Sequence, residues 1–297
     1  MIELRQDPLS GDWVSLNANR QSRPLTQLHD ACPFCPGPHA EVGDQLFDVA
    51  VFDNRYPSFH NHGNAEVVVY SPRHHDDLAY LPKDHVQLVW NVWAERIKAL
   101  EEEPGTASVF VFENRGQKVG ATIAHPHGQI YAYPYIPPRL VKELPHFVDA
   151  CPLCDVRAEN PLLFNGQYWR LEVPYAMRMP YEVRLVPQRH LASFVDLSEQ
   201  ERQEGARLMQ SLIRAYDRFF GFRTALVMAL YQRPTPPVPY HFRWEFFPID
   251  RGGGKIKYLA GSELAMEAFV VDMVPEQVQE RLQPFLDREI AKGETNG

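Results

Sequence analysis

Residues 124–130 read Ala-His-Pro-His-Gly-Gln-Ile, and a related stretch, His-Phe-Arg-Trp-Glu, occupies residues 241–245. The two stretches align at an offset of 116 positions, which places His241 on His125. Side chains alternate between the two faces of an extended strand, so alternate residues from His125 onward would share one face. Recurrence at a fixed offset indicates a duplicated chain, and we expect two similar halves that each contribute such a strand.

Cysteine and histidine residues repeat with nearly the same offset. The chain has four cysteines in two Cys-x-x-Cys pairs that lie 119 positions apart, and two histidines in each half are separated by 51 positions. Two cysteines with two histidines form a ligand set that is typical of structural zinc sites. The predicted sets are Cys32, Cys35, His74 and His125 in the first half, and Cys151, Cys154, His190 and His241 in the second.

Three other interpretations of the cysteine pairs are open. A redox Cys-x-x-Cys pair normally opens a helix in a thioredoxin-like unit, and no such unit is indicated around either pair. One ion held by all four thiolates would need a gap between the pairs far longer than that of common zinc ribbons. Four buried structural cysteines would not be expected to repeat in the same frame. Two separate zinc sites are therefore the favoured prediction.

The elements around these ligands also recur, in the order strand, helix, strand, strand. Runs of β-branched and aromatic residues predict the strands, and apolar residues at helical spacing predict the helices. The elements predicted in the first half are strand 66–70, helix 84–102, and strands 107–113 and 127–133. Those predicted in the second half are strand 182–186, a helix from Ser198 to 220 with a capping box to Glu201, and strands 224–231 and 241–247. Two further helices, 262–272 and 275–292, are predicted after the repeat.

The repeat also sets the expected organisation of the chain. We place a boundary near Pro145, with one half over residues 1–145 and the other over residues 146–297. A length of 297 residues allows two domains of ordinary size. No long flexible linker separates the halves, so we expect them to pack into one body.

The charge balance and hydropathy exclude some classes of function. Asp and Glu number 38 and Lys and Arg number 30, which gives a formal net charge of −8. A general nucleic-acid-binding protein needs a basic surface, so nucleic acid is not an expected partner. No apolar run reaches the roughly 18 residues of a membrane helix, and the first residues lack the apolar core of a secretory signal. We therefore expect a cytoplasmic protein with no membrane partner.

The residue types at positions 127–129 suit phosphoryl chemistry. Histidine is among the residues that form covalent intermediates, so His127 is the candidate nucleophile. Gln129, on the same predicted face, can donate a hydrogen bond to a phosphoryl oxygen without adding negative charge. We expect Gly128 to leave room for a substrate phosphate, because it has no side chain.

The His125–Gln129 motif resembles the active-site motif of the hexose-1-phosphate uridylyltransferases, a family within the histidine-triad superfamily. The resemblance covers nearly the whole chain, and several motifs in the same order are more specific than any one of them. The other similar segments are Asp7–Trp13, Arg20 with Arg23, Cys32–Cys35, Phe52–Asn54, Ser71–His74, Phe112–Gly116 and Lys257–Glu263.

This resemblance implies a fold and a reaction. The fold would be α+β, with two fused histidine-triad-like halves, each an antiparallel sheet with a packed helix, forming a duplicated half-barrel core. The reaction would exchange UMP between UDP-glucose and galactose 1-phosphate through a covalent uridylyl-histidine at His127. Gln129 would support the phosphoryl oxygens during the transfer. The implied partners are a UDP-hexose, a hexose 1-phosphate and a second copy of the chain in a homodimer.

Further residue roles carry over from the family by matching position. Asn54 and Asn114 would hold the nucleotide, and Thr122, where the family often has serine, would reach a phosphate. Arg20 and Arg23 would act across the dimer, with an ordinary solvated surface as the alternative for both. The sugar-phosphate pocket would be formed by Lys257, Tyr258, Ala260 and Glu263, with Ser262 where some members have tyrosine.

Both metal sites would be structural, because a closed four-ligand zinc site leaves no open position for substrate. The first site would fix His125 and thereby the adjacent nucleophile. Some family members bind iron at the second site, whereas the ligand set here favours zinc. In the second half, Arg243 stands at the position of His127 and Glu245 at that of Gln129, whereas family members often keep a histidine at the former. Guanidinium is not a nucleophile, so we expect one active site per chain, with Arg243 either structural or close to a phosphate.

Two alternative functions are open. The first is a sister activity on the same scaffold, a phosphorylase or adenylyltransferase acting on an ADP-sugar or a dinucleoside polyphosphate, since the motif specifies nucleotidyl transfer better than it specifies base or sugar. The second is a non-catalytic binding protein whose fold is stabilised by structural zinc. Retention of both His127 and Gln129 speaks against the second alternative.

Overall fold

The computed structural model describes residues 2–18, 32–58, 64–154 and 159–295. The strands in these ranges are β1 (Ile2–Gln6), β2 (Trp13–Asn17), β3 (Ala50–Asp53), β4 (Ala65–Val69), β5 (Ser108–Arg115), β6 (His127–Tyr133), β7 (Leu162–Asn165), β8 (Trp169–Glu172), β9 (Val183–Pro187), β10 (Leu226–Tyr231), β11 (Arg243–Pro248), β12 (Asp250–Gly252) and β13 (Lys255–Ile256). The α-helices are α1 (Lys83–Glu102), α2 (Pro138–Glu143), α3 (Glu199–Phe220), α4 (Gly261–Met266) and α5 (Pro275–Thr295).

Nine of the strands in the described ranges form one antiparallel sheet, in the order β3-β4-β6-β5-β10-β11-β9-β8-β7. Strands β3 to β6 come from the first half of the chain and strands β7 to β11 from the second. The two blocks meet where β5 pairs with β10. Strands β1 and β2 form a separate hairpin, as do β12 and β13. The α+β class with antiparallel sheet, expected from the resemblance, is confirmed.

The strand order recurs on the two sides of the β5–β10 junction. Moving outward, the first half gives β5, β6, β4, β3 and the second gives β10, β11, β9, β8. At the junction Phe112 lies opposite Ala229. Phe112 also lies opposite Gln129 on β6, and Ala229 lies opposite Glu245 on β11. A local twofold axis therefore passes between Phe112 and Ala229 and relates β6 to β11. The half-barrel shape and the boundary at residue 145 stay predictions.

Helices α1 and α3 cover one face of this sheet. Helix α1 buries Val86, Trp90, Trp93 and Ile97, whose spacing of three or four residues gives it one apolar face. Helix α3 begins with the predicted capping box, in which Ser198 Oγ accepts from Glu201 N at 3.3 Å and a Glu201 carboxylate oxygen accepts from Ser198 N at 2.7 Å. The face opposite these helices carries the candidate site.

Tryptophans from both halves form the centre of the core. Trp90 and Trp93 on α1 and Trp169 and Trp244 on β8 and β11 are each at most 1% exposed. The ring centroid of Trp90 lies 5.9 Å from that of Trp169 and 6.4 Å from that of Trp244. Burial of large aromatic side chains is the dominant favourable term in such a core. The two halves therefore share one hydrophobic core.

Most predicted elements agree with the structure to within about two residues at their ends, the expected uncertainty of helix boundaries. The helix predicted over 262–272 is shorter, because α4 ends at Met266 and Glu267 adopts a left-handed backbone conformation with φ of 52°. Both hairpins outside the main sheet, and strands β3, β7 and β8 within it, were absent from the prediction. No helix in the described part of the chain is long and apolar enough to cross a membrane.

Candidate active site and metal centres

Strand β6 presents the candidate catalytic residues on its face away from the helices. Ile130 and Ala132 pack into the core beneath α1 and α3, so alternation turns His127 and Gln129 to the opposite side. His127 is 7% exposed and Gln129 6%, so both lie in a shielded environment. Pro126 immediately precedes the first residue of β6, as expected for a strand end.

The orientation of the His127 ring is set by its neighbours. Its Nδ1 lies 2.8 Å from the backbone carbonyl oxygen of His125, which can only accept a hydrogen bond. Nδ1 is therefore the protonated nitrogen in the neutral ring, and the lone pair lies on Nε2. Phe34 packs against the ring in an edge-to-face arrangement with centroids 5.0 Å apart. In the neutral ring, this hydrogen bond therefore selects the tautomer that makes Nε2 the nucleophilic atom.

Gln129 is oriented by two donors to its carbonyl oxygen. Asn54 Nδ2 donates to Gln129 Oε1 at 3.4 Å, and Tyr131 Oη donates to the same atom at 3.3 Å. The Gln129 Nε2 group has no hydrogen-bond partner among the residues that the structure describes, so its two N–H groups are available to a ligand. The predicted residues His127, Gln129 and Asn54 are thus brought together.

Gly128 does not have the role expected from the sequence. It lies on the helix side of β6, where a Cβ atom would be 2.2 Å from Tyr70 Oη and 3.3 Å from the Phe112 carbonyl oxygen. The space beside Gly128 is therefore filled by the Tyr70 side chain and not left open for a phosphate. The expectation was wrong because alternation turns residue 128 away from its two neighbours.

This packing predicts a large effect of Gly128→Ala. The added methyl group would push Tyr70 or β6 aside, and we expect the free energy of unfolding to fall by about 1–3 kcal/mol. Tyr70→Phe removes the colliding oxygen, so Gly128→Ala should cost less in a Tyr70→Phe background. Urea denaturation of both single variants and the double variant measures this coupling. Equal costs of Gly128→Ala in the two backgrounds would contradict the packing account.

Other predicted substrate residues are only partly assembled around His127. Asn114 lies on β5, two positions beyond Phe112, and so shares the Gln129 face of the sheet. Thr122 lies in the connection between β5 and β6. Arg20 and Arg23 lie outside the described residues.

The predicted sugar-phosphate segment is internally bonded. Lys257 Nζ contacts the Glu263 carboxylate and donates to the Val270 carbonyl oxygen at 2.9 Å. Tyr258 is 71% exposed, and Ala260 N donates to Glu263 Oε2 at 3.3 Å. Within the described ranges, neither Lys257 nor Glu263 makes a hydrogen bond to a residue of the His127 site. In the part of the chain that the structure describes, Lys257 and Glu263 therefore bond within their own segment and not to the nucleophile's strand.

The first predicted metal set converges on one point. The ligand atoms of Cys32, Cys35, His74 and His125 all lie within 4.8 Å of one another. Cys32 Sγ is 3.7 Å from His125 Nδ1, and Cys35 Sγ is 3.4 Å from His74 Nδ1. Four ligands at ordinary Zn–S and Zn–N bond lengths around a tetrahedral ion would have sulfur–nitrogen separations of about 3.6 Å. The donors therefore match a tetrahedral ion.

The second set also converges on one point, with its ligand atoms within 4.8 Å of one another. Cys151 Sγ is 3.4 Å from His241 Nδ1, and Cys154 Sγ is 3.0 Å from His190 Nδ1. Burial and the neighbouring His190 lower the pKa of His241 to about 4, which keeps its ring neutral as a metal ligand must be. This set, too, has the chemistry and spacing to hold a metal ion.

One histidine of each set is anchored in the same way. His125 Nε2 lies 2.7 Å from the Ser71 carbonyl oxygen, and His241 Nε2 lies 3.0 Å from that of Pro187. Donation from Nε2 to a carbonyl leaves Nδ1 as the ligating atom and fixes the ring. In the first half the same residue, His125, also accepts the Nδ1–H of His127 through its own carbonyl. The position of the metal ligand His125 therefore helps to determine the orientation of the His127 ring.

In the second half an arginine network replaces the nucleophile. Arg243 Nε donates to Glu245 Oε1 at 2.7 Å, Nη1 donates to Tyr240 Oη at 3.0 Å, and Nη2 donates to Glu143 Oε1 at 2.8 Å. Burial acts to raise the pKa of Glu245, but Arg243 and Arg184 hold it well below its ordinary value. Arg243 is thus a buried structural ion-pair partner, the first of its two expected roles.

Sequence reasoning missed three residues of the first site. Tyr131 follows Gln129 on the same face of β6, so alternation alone could have identified it. Phe34 lies between Cys32 and Cys35. A metal ion held by these cysteines and by His125 would bring Phe34 close to His127, so the spacing could have identified this residue too. Tyr70 had no comparable signal, since its contact with Gly128 depends on the pairing of β4 and β6.

Comparison with known proteins agrees with this geometry. A family model described as the N-terminal domain of galactose-1-phosphate uridyl transferase matches residues 53–137. The galactose-1-phosphate uridylyltransferase of Thermotoga maritima is 31% identical over 95% of this chain and 98% of that protein. The protein of the same name from Streptomyces lividans is 36% identical over 83% of this chain and 70% of that protein.

Solved structures give the same result. One described as the structure of a uridylyltransferase superposes with a TM-score of 0.88 at 30% identity, covering 97% of this chain and 99% of that one. An Arabidopsis thaliana ADP-glucose phosphorylase with bound ADP-glucose has a TM-score of 0.77 at 22% identity, over 95% of this chain and 99% of that one, and shares the fold. From the similarity over nearly its whole length, this chain belongs to the galactose-1-phosphate uridylyltransferase family.

Proposed function

We propose that this chain is a UDP-glucose–hexose-1-phosphate uridylyltransferase of galactose metabolism, which moves UMP between UDP-glucose and galactose 1-phosphate. The observation that carries the proposal is the pairing of His127 with Gln129 on one face of β6. The imidazole is fixed by its Nδ1 hydrogen bond, and the carboxamide offers two N–H groups. Relatives named galactose-1-phosphate uridylyltransferase support the reaction class.

The first step is nucleophilic. His127 Nε2 donates its lone pair to the α-phosphorus of UDP-glucose, and an N–P bond forms as the bond from the α-phosphorus to the bridging oxygen breaks. Glucose 1-phosphate leaves with that oxygen and its electron pair. The imidazole acquires positive charge, and the His125 carbonyl oxygen stabilises it through the retained Nδ1–H hydrogen bond at 2.8 Å. The product is uridylyl-His127.

The second step reverses the first with another sugar. A phosphate oxygen of galactose 1-phosphate attacks the uridylyl phosphorus, and the N–P bond breaks and returns its electron pair to Nε2. UDP-galactose is released, and His127 is restored in its starting tautomer. Over the two steps one phosphoanhydride bond is broken and one is formed, so the free-energy change of the whole reaction is small.

Gln129 would act on the phosphoryl oxygens. Its Nε2 group is turned away from Asn54 and Tyr131, which hold its carbonyl oxygen. A donor fixed in place before the reaction stabilises developing charge without a reorganisation cost. A carboxamide also adds no negative charge beside the diphosphate, in contrast to the Glu245 carboxylate at the related position of β11.

The remaining substrate contacts are proposed from the resemblance. Asn54, Asn114 and Thr122 would hold the nucleotide, and Lys257, Tyr258, Ala260 and Glu263 would form the sugar-phosphate pocket. Arg20 and Arg23 would act across a homodimer, and we keep the cytoplasm as the expected compartment.

We further propose that zinc occupies both metal sets, with structural roles. Cys32, Cys35, His74 and His125 would hold one ion, and Cys151, Cys154, His190 and His241 the other. Soft thiolates with imidazole favour zinc, and four protein ligands leave no open position. Binding at the first set would hold His125 in place and, through its carbonyl, the ring of His127.

A matched pair of variants tests this division of roles. Cys35→Ser and Cys154→Ser should each lower the zinc content, measured by elemental mass spectrometry, from two to one ion per chain. We expect Cys35→Ser to reduce uridylyl transfer at least about tenfold, because the His127 ring loses its support. Cys154→Ser should keep most activity, since β11 carries no nucleophile. An equal loss of activity in the two variants would contradict the link between the first metal and His127.

The covalent intermediate provides the direct test of function. The protein is mixed separately with UDP-glucose and ADP-glucose, and its intact mass is recorded after a mildly alkaline quench that preserves the N–P bond. UDP-glucose should add the mass of UMP, and galactose 1-phosphate should remove it. His127→Ala should show no adduct. No adduct from any donor would refute nucleotidyl transfer.

A second candidate function is an adenylyl transfer from an ADP-sugar. It is favoured by the fold shared with the Arabidopsis ADP-glucose phosphorylase, whereas the more similar relatives are uridylyltransferases. An added mass of AMP from ADP-glucose, with no UMP from UDP-glucose, would establish this candidate in place of the first.

A further inference from the structure

A cavity in the second half has no role in the proposed reaction. It has a volume of about 300 Å³ and is lined in part by Arg243, Arg184, Glu143 and Leu153. Arg243 stands on β11 where His127 stands on β6, and the local twofold axis at the β5–β10 junction relates the two strands. The cavity therefore lies at the position that corresponds to the candidate active site.

The walls of the cavity retain features of its counterpart. Leu153 lies between the cysteines of the second set as Phe34 lies between those of the first, and the two residues share the 119-residue offset of the cysteines. Phe147, Tyr175 and Ala176 extend this apolar side. A volume of about 300 Å³ is at the lower end of the range for small-molecule sites, and a mostly apolar lining with few polar groups is typical of them.

Arg184 is the polar group best placed to receive a ligand. Its Nε donates to Glu245 Oε1 at 2.9 Å, which fixes the plane of the guanidinium. Among the described residues, its two terminal nitrogens have no hydrogen-bond partner, and its side chain is 19% exposed. An oriented guanidinium with four remaining N–H groups binds a phosphate or a carboxylate through two parallel hydrogen bonds.

Arg243 plays a different part in the same cavity. Its donors go to Glu143, Glu245 and Tyr240, so it orders the carboxylates and leaves Arg184 to the ligand. Among the described residues, the acidic and basic side chains that line the cavity are Arg184 and Arg243 against Glu143, so a net positive charge remains. An anion is therefore favoured over a cation.

We propose that this cavity is a second, non-catalytic binding site for a nucleoside monophosphate. The phosphate would bind Arg184, and the base would lie against the side formed by Phe147, Leu153 and Tyr175. A base is favoured over a second set of sugar hydroxyl groups on this side, because Phe147 and Leu153 offer apolar surface and no hydrogen-bond partners. Arg243 occupies the position that His127 has in the first half, and guanidinium is not a nucleophile, so the ligand is bound without reaction. The choice of a nucleotide rests on the proposed function of the corresponding site.

Equilibrium dialysis with labelled UMP tests this proposal on the full-length protein. We expect two UMP molecules per wild-type chain, one at each site, and one per chain in Arg184→Gln at concentrations that fill both wild-type sites. The affinity of the second site should fall at least about tenfold in Arg184→Gln. Arg178→Gln is the matched control, since Arg178 also bonds Glu245 and is similarly exposed but does not line the cavity. It should keep both sites.

The outcomes separate this proposal from the proposed function. One UMP per wild-type chain, or two that are both insensitive to Arg184→Gln, would overturn the second site. Displacement of UMP from it by inorganic phosphate or galactose 1-phosphate at equal concentration would overturn the nucleoside component. The uridylyl adduct on His127 is measured independently, and Arg184→Gln should leave its rate of formation unchanged. If no adduct forms on His127 but UMP still binds at a site that depends on Arg184, the result would count against the proposed catalytic function and not against the second site.

Discussion

Replacing His127 with alanine should lower the rate of UMP exchange by about four orders of magnitude or more. The loss is large because the covalent route disappears altogether when the Nε2 nucleophile is removed. The side chain is 7% exposed, and removing the ring adds no bulk to the site, so we expect the variant to fold, which a urea denaturation curve checks. The measurement is kcat for exchange of labelled galactose 1-phosphate into UDP-galactose.

Two further variants make this result specific. His39→Ala changes an exposed histidine outside the site and should leave kcat unchanged. Gln129→Ala removes a donor but not the nucleophile, so we expect a smaller loss of about 10²–10³-fold in kcat. A His127→Ala enzyme that retained more than about one hundredth of the wild-type kcat would show that His127 is not the nucleophile.

The sequence was most informative where function depends on residue spacing. The metal sets could be predicted because each needs four side chains of rare types, and the offsets of 116 and 119 identified both sets together. Both ends of strand β6 could be predicted to the residue, because Pro126 marks where the strand begins and the alternating residues after it mark how far it extends. These features are encoded locally or by repetition and need no knowledge of the three-dimensional packing.

Contacts between distant strands could not be predicted in the same way. The partners of Arg243 include Glu143, 100 residues earlier in the chain, and nothing near either residue indicates the pair. The space beside Gly128 is filled by Tyr70, a residue of the segment after β4, because β4 pairs with β6. Strand pairing is set by the whole sheet, so both contacts are known only once the register is known.

The joining of the halves depends on another such contact. Arg115, on β5, is 2% exposed and lies between Asp77 of the first half and Asp217 of the second. Its Nη2 donates to Asp77 Oδ2 at 2.8 Å and to Asp217 Oδ2 at 2.7 Å, while Nη1 donates to the Thr224 carbonyl oxygen at 2.8 Å. One guanidinium thus links the two halves beside the β5–β10 junction.

Arg115→Met should therefore lower the free energy of unfolding by about 3–5 kcal/mol at pH 7, since it leaves the buried Asp217 without its cation and Asp77 with only the half-exposed Arg223. Arg223→Met is the control: Arg223 Nε also contacts Asp77, at 2.6 Å, but its side chain is 48% exposed, so its loss should cost less than about 1 kcal/mol. Urea denaturation measures both values. Equal costs for the two variants would contradict the role of Arg115.

The pH dependence gives this prediction a second measurement. Burial acts to raise the pKa of Asp217, but the hydrogen bonds and charge of Arg115 outweigh it and hold the pKa below its ordinary value. A carboxyl whose folded-state pKa is lowered stabilises the fold above its unfolded pKa, and that contribution is lost as the pH falls through the folded value. In Arg115→Met the pKa of Asp217 is no longer lowered by the arginine, so Asp217 takes up a proton at a higher pH. Burial of the neutral carboxyl costs less than burial of the carboxylate. The difference in stability between wild type and Arg115→Met should therefore be widest near neutral pH. It should narrow as the pH falls through the folded-state pKa of Asp217 in the variant, and it should stop changing below the lowered pKa of wild type. A difference independent of pH would point to lost packing in place of lost charge.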